Sequence, residues 1–256
     1  MNRTIRKIPI LLLSMLFLLP LNCLAKDDAP RILFDQGHNQ RFLIGEKGEL
    51  QLSKLADTVR KQGAQVNSTT SPLSNETLGN CEALVISGPF AELTSEESDA
   101  VLHFLERGGR LAVMLHIGQP VAGLLARLNV EHSNAVLHER RNILDMDINF
   151  TINDLKKNPL FNGISQFSVY GAWALNPGPG STAIASTSPE SWVDLNGDKT
   201  FSKDDANGPF ALVVWGNKGK GSFIIFGDDA IFQNRFLDKN NAALAVNLAA
   251  WLAHKN

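Results

Sequence analysis

Ala83-Leu84-Val85-Ile86-Ser87 is apolar up to its last residue and is stopped by Gly88-Pro89. Thr94-Ser95-Glu96-Glu97 then offers a capping hydroxyl and early carboxylates to a helix whose stripe is Val101, Leu102 and Leu105. Gly108-Gly109 closes that helix, and Leu111-Ala112-Val113-Met114-Leu115 is a further apolar run. A strand with no polar face must be covered on both sides, so this strand–helix–strand unit predicts a parallel sheet between helical layers.

Working outward, Arg31-Ile32-Leu33-Phe34-Asp35 predicts another short buried strand, ending in the polar loop Gln36-Gly37-His38-Asn39. Leu50, Leu52, Leu55, Ala56 and Val59 fall at helical spacing before Gly63, and Gln65-Val66 begins a weaker strand. From about 130 to 180 the pattern weakens, with Asn176-Pro177-Gly178-Pro179-Gly180 as a breaker, which predicts an insertion or edge region. Ala211–Trp215 and Ser222–Phe226 predict a hairpin around the glycine-containing turn 217–221. Leu244, Ala245, Leu248, Trp251 and Leu252 mark one face of a closing helix over 241–254. The expectation is an α/β, doubly wound, mostly parallel sheet with an elaborated second half and a C-terminal β-hairpin plus helix.

Arg3, Arg6 and Lys7 precede an apolar run over 8–21, the pattern of a secretory signal peptide, with cleavage expected after Ala25. An uncleaved anchor and a lipoprotein at Cys23 are the rivals. The run is too short to span a bilayer comfortably. The expected layout is a signal peptide over 1–25, then one domain over 26–256 with an insertion at about 131–207, in a periplasmic or secreted protein. Those three basic residues leave with the signal, so the formal charge of −2 becomes −5. A mildly acidic chain is a poor partner for nucleic acid or anionic membrane. Cys81 then stands alone, and no internal disulfide is available.

Ile32–Asp35 with its loop, Ser87-Gly88-Pro89 after a buried strand, and Phe226-Gly227-Asp228 leading to Asn234 and Asn247–Leu252 together resemble the GIFT-type domain. That domain is shared by gliding-motility transporter-associated proteins, an intraflagellar transport subunit and bacterial domains of unknown function. It is similar in fold to class I glutamine amidotransferases. The resemblance covers most of 31–130 and 208–253, and it implies a flavodoxin-like sheet, usually without established catalysis. The amidotransferase relatives need a cysteine on a sharp strand-to-helix turn. In this chain His116 stands at that turn, and Cys81 lies at the wrong end of its strand.

The strongest local motif is Asp194-Leu195-Asn196-Gly197-Asp198-Lys199-Thr200-Phe201-Ser202-Lys203-Asp204-Asp205. Oxygen side chains at positions one, three, five and nine (Asp194, Asn196, Asp198, Ser202), the Thr200 carbonyl at seven and Asp205 at twelve have calcium-loop spacing. The motif resembles the calcium loop of dockerin modules, in which Phe201 would tuck beneath the ion. Lys199 occupies the sixth position, where glycine normally allows the turn, at a cost of about 1 kcal/mol. An acidic surface turn is the alternative.

In a doubly wound sheet, ligands sit beyond the carboxyl ends of the strands, which singles out Asp35, His38, Gly88, His116 and Asp228. A carboxylate and an imidazole there could act as a general base pair or hold a metal; alternatively Asp35 and Asp228 cap helices or order loops. Trp173, Trp192 and Trp215, with Phe167 and Tyr170, are sugar-stacking candidates or core. The expected function is a non-catalytic exported binding or scaffolding module with a structural Ca2+ and a protein or glycan partner in the cell envelope. The alternative is a hydrolase using Asp35, His38, His116 and Asp228.

Overall fold

The computed structural model describes residues 29–254. Its strands are β1 (Arg31–Asp35), β2 (Gln65–Thr69), β3 (Ala83–Ser87), β4 (Arg110–Met114), β5 (Val130–His138), β6 (Asn149–Ile152) and β7 (Asp154–Leu155). They continue with β8 (Phe167–Tyr170), β9 (Trp173–Pro177), β10 (Ser181–Ser186), β11 (Trp192–Val193), β12 (Ala206–Asn207), β13 (Ala211–Lys218) and β14 (Gly221–Phe226). The helices are α1 (Ser53–Lys61), α2 (Ser95–Glu106), α3 (Ala122–Arg127) and α4 (Lys239–Ala253). None of the described helices is long and apolar enough to cross a membrane.

β3 and β4 are buried at every position, as their composition requires. Alternate residues serve opposite layers. Ala83, Val85, Ala112 and Met114 pack in the cluster that contains α1 and α4, whereas Leu84, Ile86, Leu111 and Val113 pack with α2 and α3. Burying each of the larger of these side chains contributes about 1.5–3 kcal/mol, and the buried polar residues of the two strands, Ser87 and Arg110, stand at strand ends. The expected cap of α2 is present: Thr94 and Glu97 form a reciprocal capping box.

Five strands run parallel in the order β2-β1-β3-β4-β14. Beyond β14 the same sheet continues through β13, β9, β5, β11 and β12 with antiparallel pairing at every step. The sheet is therefore mixed, a correction to the mostly parallel expectation. Parallel pairing needs a long crossover, and the second half instead reverses through short turns such as the one at Gly219. The stretch from 130 to 180 is not irregular: it holds β5 to β9, and β6 and β8 form a separate two-stranded ladder. The C-terminal hairpin and helix are as expected, with Leu244, Ala245, Leu248 and Leu252 fully buried.

β1, β3, β4 and β14 deliver their carboxyl ends side by side. Gly227, immediately after β14, donates to Leu212 and accepts from the Trp173 amide, so a Cβ there would collide with the Trp173 carbonyl. Replacing Gly227 with alanine should cost about 1–3 kcal/mol of stability through overpacking, read as a lower urea midpoint at unchanged slope.

Candidate functional site

Two imidazoles stand at the strand ends, in different company. His38, in the loop after β1, is buried, with Nδ1 2.7 Å from Asp35 Oδ2 and Nε2 3.1 Å from Glu97 Oε1. Gln40 Nε2 donates to the same Asp35 oxygen at 2.5 Å, and Glu97 also accepts the amides of Leu73 and Thr94. Burial alone disfavours a charged ring. The hydrogen bond and charge of Asp35, backed by Glu97, outweigh it and raise the His38 pKa above its ordinary value. Burial likewise opposes ionisation of Glu97, and its two backbone amides with His38 pull its pKa down. When the ring is protonated both nitrogens donate to carboxylates, and His38 then has no lone pair to offer a ligand.

His116, two residues beyond β4, is partly open. Its Nδ1 lies 3.1 Å from Asp229 Oδ1, and Trp173 Nε1 donates to its carbonyl at 2.9 Å. Phe42 and Phe90 flank the ring, each with its centroid 5.1 Å away, and the Arg41 guanidinium lies 4.7 Å over Phe90. The bond to Asp229 is the main cause that raises the His116 pKa. Asp229 therefore fixes the ring so that Nε2 is the free nitrogen.

Asp228 faces the other way. Its carboxylate accepts Tyr170 N at 2.7 Å and Ala230 N at 2.8 Å, ordering the loop that carries Asp229. Full burial, with the neighbouring charge of Asp229, pushes its pKa up to about 8. Asp229 is raised as well, again by burial, with His116 as the partial offset. Gly88, with φ of 53°, lies so close that a Cβ would strike the Asp229 carboxylate. Among the described residues, three buried polar atoms lack a partner: Gln36 Nε2, Ser87 Oγ and Asp229 Oδ2. All three sit where β1, β3 and β14 end.

The expected residues are thus divided. Asp35 and His38 form one closed cluster, His116 belongs to another with Asp229, and Asp228 orders a loop. Glu97, Asp229, Phe42, Phe90 and Arg41 were missed. Glu97 has the sequence role of a capping residue and fills it while holding His38 with its other oxygen. Cys81 precedes β3, at the far end of the sheet, and burial pushes its thiol up to about 12.

The calcium-type loop joins β11 to β12. Asp194 accepts the amides of Gly197 and Lys199, Asn196 that of Asp198, Asp198 that of Thr200, and Asp205 those of Leu195 and Ser202. Burial opposes ionisation of Asp194, and the loop amides outweigh it and lower its pKa. Lys199 adopts φ of 60°, the turn that glycine would make without strain. Phe201 does not tuck inward; it meets Trp192 edge-on at 5.7 Å and carries Arg140 over its ring at 4.0 Å. Among the described residues, no three His, Cys, Asp or Glu side chains converge as metal ligands.

A family model for a domain of unknown function, DUF4350, matches residues 46–249. The chain belongs to that family. The DUF4350 span holds Gly88, Glu97, His116, Asp228, Asp229 and the 194–205 loop, while Asp35, His38 and Phe42 precede it. No curated protein matches in sequence. In structure it is similar to the mmIFT52 N-terminal domain, at 19% identity and a TM-score of 0.69, over 88% of this chain and 98% of that one. The GIFT-type resemblance is met there at the level of fold. It is also similar to Cytoplasmic Protein STM1381 from Salmonella typhimurium LT2, with 15% identity and a TM-score of 0.55, over 88% of this chain and all of that one. Cytoplasmic Protein STM3548 from Salmonella typhimurium gives 15% and 0.52 over 88% and 100%. Those two names overturn the expectation of a periplasmic or secreted protein. The expectation rested on composition within residues 1–25, which lie outside the described residues, and the fold itself adds nothing to it.

His38 carries a pH prediction. A ring that holds its proton more tightly when folded stabilises fully below the ordinary value of 6.5, and that contribution is lost as pH rises through the higher folded value. Urea unfolding across pH 5–9 should show this loss in the native chain. His38→Ala, which leaves Asp35 and Glu97 without their cation, should lower stability by about 3–5 kcal/mol at pH 6 and flatten the profile.

Proposed function

We propose that the chain is a non-catalytic binding module that takes a protein or glycan partner at the mouth formed by Phe42, Phe90 and His116, stiffened by a calcium ion in the 194–205 loop. The observation that carries the reading is the gathering of unpartnered Gln36 Nε2, Ser87 Oγ and Asp229 Oδ2 at the strand ends beside the half-open imidazole of His116. Each buried polar atom left alone costs about 1–3 kcal/mol, and native proteins keep such atoms mainly where a ligand or a task uses them.

Binding is favoured over turnover by what stands at the turn after β4. The backbone of His116 is not in the positive-φ region, unlike a strained nucleophile turn, and the residue there is an imidazole. A His–Asp pair is nonetheless competent as a general base, so the alternative hydrolase can be tested directly. Purified chain should release no product from nitrophenyl esters or anilides beyond the buffer rate. A photo-crosslinking residue at position 90 should capture a partner from cell extract, the same residue at position 218 on the far end of β13 should not, and His116→Ala should weaken the capture. Ester or amide turnover that disappears in His116→Ala would reverse the assignment.

For the loop, the supporting features are the spacing along the sequence of three carboxylates, an amide, a hydroxyl and the Thr200 carbonyl, and a backbone already turned at Lys199. With a dissociation constant of about 10⁻⁴–10⁻³ M, 10 mM calcium would add roughly 1.4–2.7 kcal/mol. The melting temperature should therefore rise by about 3–10 °C with calcium, fall back with a chelator, and stay unmoved in Asp194→Ala.

A further inference from the structure

A cavity of about 240 Å3 lies between β5, β9 and the stems of the 194–205 loop, and none of the residues around His116 described above lines it. It exists because β5 and β9 part company there. His132 pairs with Leu175 and Val136 with Trp173, so that three residues of β5 oppose only Ala174. A bulge of this size breaks the ladder, and Ser133 Oγ repairs it by accepting the Ala174 amide at 3.1 Å and donating to the Ala135 carbonyl at 2.6 Å. Bulges that open a sheet in this way recur beside binding sites. The opposite wall is equally fixed: Val193 pairs with Ala206, and Asp205 accepts the Leu195 amide.

The lining is divided by chemistry. Ala174, Leu175, Val193, Ala206 and the half-buried Phe210 give an apolar floor. Ser133, Asn134 and Asn176 give a rim of neutral donors and acceptors. Glu131 is the one carboxylate and already accepts Asn176 Nδ2 at 2.9 Å, while His132 is turned onto the Ser133 carbonyl at 2.6 Å. No lysine or arginine lines the cavity, so a phosphate or carboxylate ligand would find no countercharge. A wholly apolar ligand would strand the rim amides. The space is below the 300–1,000 Å3 of drug-sized pockets and suits a single ring. A pyranose has one C–H face for an apolar floor and a hydroxyl edge for amides and a carboxylate.

We propose that this cavity is a second binding site, for one neutral sugar ring, separate from the crevice and independent of what the crevice binds. Amide NMR of the full chain, titrated into tens of millimolar with the methyl glycosides of glucose, galactose, mannose and N-acetylglucosamine, tests it. At least one glycoside should shift Ser133, Asn134, Ala174 and Asn176 with saturation in the millimolar range. Ala206→Phe, which fills the floor, and Asn176→Ala, an exposed rim change that spares the core, should each weaken that binding at least tenfold. His116→Ala should leave it unchanged, which keeps this site distinguishable from the crevice. Silence of those amides toward all four glycosides, shifts produced by benzoate or phosphate in their place, or undiminished binding in both cavity variants would overturn the proposal.

Discussion

Two adjacent carboxylates buried at the end of β14 set the form of the strand-end crevice. Asp228 and Asp229 are 2% and 1% exposed, a placement that opposes ionisation of both. Their partners explain why they remain. Asp228 joins the last strand to Tyr170 of β8 and to the turn at Ala230, while Asp229 holds the imidazole that follows β4. Three separate segments are thereby fixed around one opening. Gly88 and Gly227 follow from the same constraint, since a side chain at the first would strike the Asp229 carboxylate and at the second the Trp173 carbonyl.

The two histidines divide structure from presentation. His38 spends both nitrogens on carboxylates and receives Phe90 and Ala91 amides on its carbonyl, so it ties the β1 loop to the β3 loop. His116 spends one nitrogen and shows the other between two phenylalanines. Charge alone would not separate them, because both are raised by neighbouring acids. The difference is accessibility: a ring closed on both sides is a strut, and a ring closed on one side is a contact.

Composition made the parallel half legible because its strands are apolar on both faces. The antiparallel half hides for the opposite reason. β5 reads Val-Glu-His-Ser-Asn-Ala-Val-Leu-His, is half-exposed along much of its length, and carries a bulge that breaks the two-residue period. The positions Asp35, His38, Gly88, His116 and Asp228 were reachable from the rule that strand ends carry sites. Their pairing was not: whether Asp228 or its neighbour meets His116 depends on how the chain turns after Phe226, which no local pattern states. Glu97 was equally hidden, because a cap residue with a second oxygen to spare looks the same in sequence as one without.

Asp229 holds His116 with Nε2 outward and makes it charge more readily than a free imidazole. Nitrogen-15 chemical shifts of the His116 ring across pH 5–9 test it most directly. The expected result is a proton resident on Nδ1 and conversion to imidazolium at a pH above the ordinary 6.5. A ring that carries its neutral-state proton on Nε2, or that stays uncharged until well below that pH, would contradict it.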